Sequence, residues 1–318
     1  MLTVVSAQTG KQSGPNLSDS PSDPVWYDLE DPSSDEIQQV ESATKLKVPC
    51  REQINALGLS NHNRIGQTNL HLHMALYPDG DESPGCSPLG LVISPATLLT
   101  VRYAKSMALD RAMKNVHGEP SVCGADAFAT LLESLTDDIA EQMQHIATDM
   151  TKLSTRVFVE ERLDARALRR LILEVGHLER RLTRYRTSQL GMARMLDFVE
   201  HRVPEWISAA TNLRLKIAGN DLRALDKFDE QLTDKLQFLL DAILGFITTD
   251  QNGVMKVLTI ASVVTVPPLI LAAIWGMNFK HMPDLIPVWA YPAALLAIAI
   301  SIVVPLLWFR KLGWLTRD

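Results

Sequence analysis

The spacing of apolar residues changes character along the chain, and each change predicts a different kind of element. Val25-Trp26-Tyr27-Asp28-Leu29 reads as a short strand from its β-branched and aromatic content. Ser33 followed by Glu36 forms a capping box that should start a helix running to about Leu46. From Asn69 to Tyr77 the pattern alternates, with Leu70, Leu72, Met74 and Leu76 on one face and His71 and His73 on the other. That is the signature of a half-buried strand. Leu89–Ile93 and Leu98–Tyr103 read as two further strands joined at Ser94-Pro95-Ala96-Thr97. A small sheet packed with helices is therefore expected in the first third.

After Ser121 strand signals stop. Phe128, Leu131, Leu132, Leu135 and Ile139 fall at helical spacing, as do Leu163, Leu168, Leu171, Leu173, Leu178 and Leu182 among many arginines and glutamates. Such charged amphipathic helices pack as antiparallel hairpins, here with a break near Pro204. From Asn212 to Trp275 no proline occurs before Pro267, which predicts one continuous helix of roughly 95 Å at 1.5 Å per residue. A helix of that length would deliver any movement of the preceding domain to the C-terminal end of the chain.

That end consists of two uninterrupted apolar runs. Val257–Phe279 has no charged residue between Lys256 and Lys280, and Leu285–Phe309 has none between Asp284 and Arg310. Each is long enough to cross a bilayer, which takes about 20 helical residues. A buried core hairpin would normally keep a polar stripe, and neither run has one. Lys256, Arg310, Lys311 and Arg317 flank the outer ends of the pair, which places both chain ends in the cytoplasm by the positive-inside rule. Trp289 and Tyr291 at one end of the second run, with Trp308 and Trp314 at the other, suit two interfacial belts. The expected organisation is a disordered tail (1–24), an N-terminal α/β domain (25–124), a helical domain with the cytoplasmic part of the stalk (125–253), a first transmembrane helix (254–279), an extracytoplasmic loop (280–284), a second transmembrane helix (285–309) and a basic cytoplasmic tail (310–318). Disorder in the N-terminal tail is expected from its Ser, Pro, Gly, Asp and Gln content.

Composition narrows the function. A net charge of -6 supplies no basic surplus for a nucleic-acid partner. Cys50, Cys86 and Cys123 lack metal-ligand spacing, and their odd number suggests no disulfide framework, so reduced thiols are expected. The N-terminus shows no charged segment followed by an apolar one, so the first span is expected to direct insertion. His71 and His73 share a strand face and could ligate a transition metal, although no further ligand is evident. No Gly-rich phosphate loop, nucleophile elbow or HExxH is present, so no enzyme is expected.

Val254-Met255-Lys256-Val257-Leu258-Thr259 entering the first span, Gly276-Met277-Asn278 at its outer end, Met282-Pro283-Asp284-Leu285 in the loop and Tyr291-Pro292 in the second span together resemble the CorA family of divalent-cation channels and transporters. The resemblance extends upstream through Trp26–Leu29 with Asp31-Pro32, Leu99-Thr100-Val101-Arg102 and Leu239-Leu240-Asp241. It implies a homopentamer in the inner membrane, with a cytoplasmic α/β domain, long stalk helices and a two-helix transmembrane domain, in contact with membrane lipid. No permanently bound cofactor is implied, and Mg²⁺ is the expected transported ion and a candidate regulatory one. A pore also requires several subunits on physical grounds, since two spans cannot enclose a water-filled path. Gly276, Met277 and Asn278 would form the selectivity filter, with a ring of Asn278 amide oxygens meeting an ion that loses its water reluctantly, and Gly276 would permit a close backbone turn.

Asn252, Met255, Leu258, Ser262, Val266, Leu269 and Ala273 recur every three or four residues and share a helix face. Matched to the family they line the pore, with Leu258 and Met255 as an apolar gate that closes by dewetting. Ser262 and Asn252 are polar on a membrane face and call for water or a partner. Three positions depart from the family's habit: Lys280 stands where an acid is common, near Asp284; Leu269 where Thr is frequent; and Pro267-Pro268 where one proline is usual. The family's regulatory cations bind acids between cytoplasmic domains. Candidates are Asp137, Asp138, Asp221, Asp226, Asp229 and Asp241, of which only Asp241 lies in a matching stretch. Two other functions remain open at this point, a proton-coupled Zn²⁺, Co²⁺ or Ni²⁺ transporter of the same fold and a membrane-anchored sensor or scaffold with a vestigial pore.

Overall fold

The computed structural model describes residues 1–6, 10–13, 24–55, 63–66, 68–79, 85–116, 122–159, 164–202, 204–277 and 289–315. They divide into two compact units, Met1–Leu240 and Asp241–Asp318.

The first unit is built on a seven-stranded sheet of β1 (Leu2–Ser6), β2 (Gly10–Ser13), β3 (Pro24–Glu30), β4 (Arg64–Ile65), β5 (Leu70–Leu76), β6 (Ser87–Ile93) and β7 (Leu98–Arg102), in the spatial order β2-β1-β3-β7-β6-β5-β4. β3 and β7 pair in parallel at the centre, and the remaining neighbours pair antiparallel. The alternation in β5 is realised: Leu70, Leu72, Met74 and Leu76 are buried while His71 and His73 are half-buried.

One face of the sheet is covered by α1 (Ser34–Thr44) and α2 (Arg51–Asn55), where Val40, Leu46, Val48 and Ile54 pack with Tyr27, Leu29, Val92, Leu99 and Val101. α1 begins as its capping box predicts. The Ser33 hydroxyl accepts from the Glu36 N–H at 3.3 Å, and the Glu36 carboxylate accepts from the Ser33 N–H at 2.9 Å. The other face meets α3 (Met107–Val116), α4 (Gly124–Val159) and α5 (Ala165–His201).

The expected disordered tail requires correction. Leu2–Ser6 and Gly10–Ser13 are strands, and Leu2, Val4 and Val5 belong to the core. The tail's polar average conceals a short run of Leu, Thr and Val, and that run gains its partner only from tertiary structure. β1 lies on the edge of β3, with Leu2 opposite Leu29 and Val4 opposite Tyr27. Burial of three apolar side chains, about 1.5–3 kcal/mol each, then outweighs the composition. Residues 7–9 and 14–23 of the predicted tail lie outside the described residues.

Between the central strands and α3 sits a polar chain. The Trp26 indole N–H donates to the Thr100 hydroxyl at 3.0 Å, and that hydroxyl donates to the Asp28 carboxylate at 2.6 Å. Arg102 donates through Nε to the other Asp28 oxygen at 2.9 Å and reaches Asp110 of α3 at 3.2 Å. Parallel pairing puts Asp28 opposite Thr100 and Glu30 opposite Arg102, which is why these side chains meet. Burial holds the Asp28 carboxyl above the usual carboxylate range, against the pull of Arg102 and Thr100.

α4 and α5 form the antiparallel hairpin expected from their charge pattern, with Arg181 to Asp149 at 3.2 Å and Arg156 to Glu174 at 2.6 Å at successive levels. α6 (Ala209–Trp275) runs alongside α4 in the same direction. Arg214 grips both Glu133 oxygens at 2.9 and 2.6 Å and Thr130 at 2.9 Å, and Lys235 reaches Thr151 at 3.2 Å. The predicted long helix is thus one element of 67 residues that continues from the first unit into the second.

Candidate ion pathway and membrane unit

The second unit contains the end of α6 and α7 (Ala290–Lys311). Both are long and apolar enough to span a membrane, and the apolar window of α6 buries none of its residues. In its apolar part each helix carries a half-buried stripe: Ile260, Val264, Pro267, Pro268, Leu271 and Trp275 on α6, and Ala294, Ala297, Ile298, Ser301 and Pro305 among others on α7, where Phe309 is buried.

The residues singled out along α6 occupy the opposite side. Asn252, Met255, Leu258, Ser262, Val266, Leu269 and Ala273 are all exposed, with Met255 and Leu258 each at 59% and Leu269 at 65%. At 100° per residue their mean direction is about 180° from that of the half-buried stripe. One chain therefore brings these seven residues onto one exposed face, which the described residues leave uncovered. Their shared face was legible from spacing; that it lies opposite the half-buried stripe of α6 was not.

Hydroxyl groups in the spans bond their own helix. Ser262 donates to the Leu258 carbonyl at 2.9 Å, Thr259 to Met255 at 2.8 Å and Ser301 to Ile298 at 2.7 Å. Ser262 thus has a partner for its proton on the exposed face, while its oxygen stays available as an acceptor. α6 closes at Trp275 with the Gly276 N–H on the Ala272 carbonyl at 2.9 Å and the Met277 N–H on the Ile274 carbonyl at 3.3 Å. A Cβ at Gly276 would sit 3.2 Å from the Ala272 oxygen, a tight fit on ordinary helical backbone. Asn278, Lys280 and Asp284, with the rest of the predicted loop, lie outside the described residues, as do the first residues of the predicted second span.

α7 ends in a complete Schellman cap. Gly313 has φ 75°, its N–H bonds the Arg310 carbonyl at 3.1 Å, and the Trp314 N–H bonds the Phe309 carbonyl at 3.0 Å. The hydrophobic contact belonging to this motif is present, the Trp314 and Phe309 rings stacking at 5.3 Å. Arg310 and Lys311 in the last turn oppose the negative end of the helix dipole. Gly313→Val should cost about 1–2 kcal/mol locally, seen as faster amide exchange at Gly313 and Trp314 without loss of α7; unchanged exchange would show that the cap does not hold this end.

The acids considered for regulation are dispersed. Asp138 is buried and accepts from the Tyr77 hydroxyl at 2.7 Å, Asp229 is buried beside Arg186 at 3.3 Å, and Asp137, Asp221, Asp226 and Asp241 are exposed. Among the described residues, no group of three His, Cys, Asp or Glu is placed to hold a metal, the His71–His73 pair included.

An α/β unit carrying a long helix into an apolar unit with two helices long enough to span a membrane fits the two-span class of membrane proteins. The chain belongs to the CorA-like Mg²⁺ transporter family, whose model matches residues 21–311. It is 29% identical over 304 residues to the magnesium transport protein CorA of Salmonella typhimurium, covering 92% of each chain. To the magnesium transport protein CorA of Haemophilus ducreyi it is 27% identical over 309 residues, covering 94% of this chain and 95% of the other. Its fold matches the complete CorA magnesium transporter of Methanocaldococcus jannaschii with a TM-score of 0.76 at 15% identity, over 99% of both chains.

Proposed function

We propose that this chain carries Mg²⁺ across the inner membrane, with both termini cytoplasmic, through a gated pore assembled from five copies. The observation that carries the reading is the continuous exposed face of α6 from Asn252 to Ala273, in a chain of this family. An apolar face that the described residues leave uncovered calls for lipid or other copies of itself. A ring of five copies turns that face inward. Asn278 then forms the outer ring of amide oxygens, Ser262 offers a hydroxyl oxygen midway, and Met255 with Leu258 forms the apolar constriction. Lys280 and Asp284 flank the mouth, where Lys280 weakens attraction for cations. The regulatory role falls best to Asp241, exposed at the start of the second unit. The names of the relatives support magnesium over zinc, cobalt or nickel.

Purified protein in liposomes should take up Mg²⁺ when an inside-negative potential is imposed, without a proton gradient. Uptake of Zn²⁺ that requires a proton gradient, or no flux from an intact pentamer, would overturn the reading. If Met255 and Leu258 gate by dewetting, Leu258→Asn should raise resting leak at least about tenfold, equivalent to removing about 1.4 kcal/mol of barrier. An unchanged leak would move the gate elsewhere.

A further inference from the structure

The histidine pair of β5 acquires a different chemistry once its neighbours are known. Arg64 on β4 lies directly opposite His71, so the two side chains share a face of the sheet. His73 lies opposite Gly90 of β6. A Cβ on Gly90 would stand 2.8 Å from the Ile54 side chain and 3.0 Å from that of Pro49. Only the absence of that atom lets the segment carrying Pro49 and α2 settle onto the sheet beside His73, and the segment brings Lys47 and Glu52 with it. The result is a cleft of about 510 Å³ between this segment and β4–β5, within the roughly 300–1,000 Å³ typical of small-molecule sites.

Its charge excludes the metal reading. Lys47 and Arg64 are two cations in the lining, and among the described residues Glu52 is its one carboxylate. Two cations against one carboxylate leave these described residues with an excess of positive charge, and burial, followed by the charges of Arg64 and Lys47, holds the His71 imidazole below its usual range. A dication would add to that excess, whereas an anion would relieve it. The chain as a whole is acidic, at -6, so this local surplus runs against its average.

We propose that this cleft binds a phosphate monoester. Arg64 offers a planar fork and Lys47 a point charge to the dianion, a pairing suited to phosphate oxygens, and a ring N–H of His71 can donate from the floor. A bare anion would leave much of the volume empty, so an organic body fills the remainder against Pro49. Glu52 accepts from a hydroxyl on that body and repels a second phosphate.

Calorimetry on the full-length protein in detergent, with Mg²⁺ held constant, tests this using adenosine 5′-monophosphate, ribose 5-phosphate and inorganic phosphate. At least one monoester should bind with Kd below about 1 mM and more tightly than inorganic phosphate. Arg64→Gln should weaken it at least tenfold, and Lys47→Gln should also weaken it; both side chains are exposed, so folding is not at stake. Equal affinity for inorganic phosphate would overturn the assignment to a monoester. Unchanged binding in the Lys47→Gln, Arg64→Gln double variant, or no binding of any probe at about 10 mM, would overturn the site.

Discussion

Asn278→Ala is expected to reduce potential-driven Mg²⁺ uptake at least about hundredfold while leaving pentamer assembly intact. Hydrogen bonds to a charged group contribute about 1.5–3 kcal/mol each, and in the five-fold ring proposed above one substitution removes every copy at once. Losing the equivalent of two such contacts already accounts for two orders of magnitude in rate. Asn278→Gln keeps the amide but moves it outward by a methylene, so it should retain measurable uptake with altered ion preference. Liposome flux, paired with size measurement of the assembled particle, separates the two requirements. Ordinary uptake by the alanine variant would remove the filter from Asn278; loss of the pentamer would make the residue an assembly contact.

The largest effect on stability is expected at Arg102. Its side chain is 3% exposed and that of Asp28 1%, so Arg102→Met leaves a carboxylate with no route to water. Breaking a buried pair from one side costs about 3–5 kcal/mol, and a unit of this size loses roughly 2–4 °C of Tm per kcal/mol. Thermal unfolding of the full chain should therefore shift down by at least about 6 °C. The pH dependence has a definite sign. Burial already raises the Asp28 carboxyl, and without Arg102 that rise grows. A carboxyl whose folded pKa exceeds its unfolded value binds more protons folded than unfolded in the interval between them, so its contribution is present at low pH and lost as pH rises. The variant should therefore recover part of its deficit toward acid pH. Asp28→Asn combined with Arg102→Met should recover more, since neither charge then remains. A loss below about 1 kcal/mol for the single variant would mean that water reaches Asp28.

Much of this architecture can be read locally, for reasons that differ between elements. The capping box at Ser33 and Glu36 is read correctly because both partners lie within one turn. The strand Leu70–Leu76 is read correctly because a half-buried strand must alternate, and α6 because nothing in its sequence breaks a helix before Pro267. Even the Pro267-Pro268 pair leaves the element continuous. α3 could have been found, since Ala108, Leu109, Ala112, Met113 and Val116 recur at helical spacing. It is short and lies between strand signals and a turn-rich stretch, which hides it.

Other features had no local signal. β1 is a strand because β3, distant in sequence, offers it an edge. The Trp26–Thr100–Asp28–Arg102 chain exists because β3 and β7 pair in parallel with that register. Asp28 and Arg102 were visible only as parts of motif stretches, with nothing to show that they touch. His71 and His73 were rightly placed on one face, yet their surroundings come from Lys47, which lies outside any strand, and from a glycine on the neighbouring strand.

The sequence by itself determined the properties that act over a turn of helix or a pair of strand residues. These are the two apolar spans, the continuous helix leading into the first, the face shared by Asn252 through Ala273 and the family motif at Gly276-Met277. Only the tertiary structure decided which faces are covered and which charges meet. The buried Asp28–Arg102 pair and the cationic cleft beside His71 each depend on residues distant in the chain. Periodicity states which residues share a face, whereas burial and charge pairing depend on what packs against that face, and that is set by the fold as a whole.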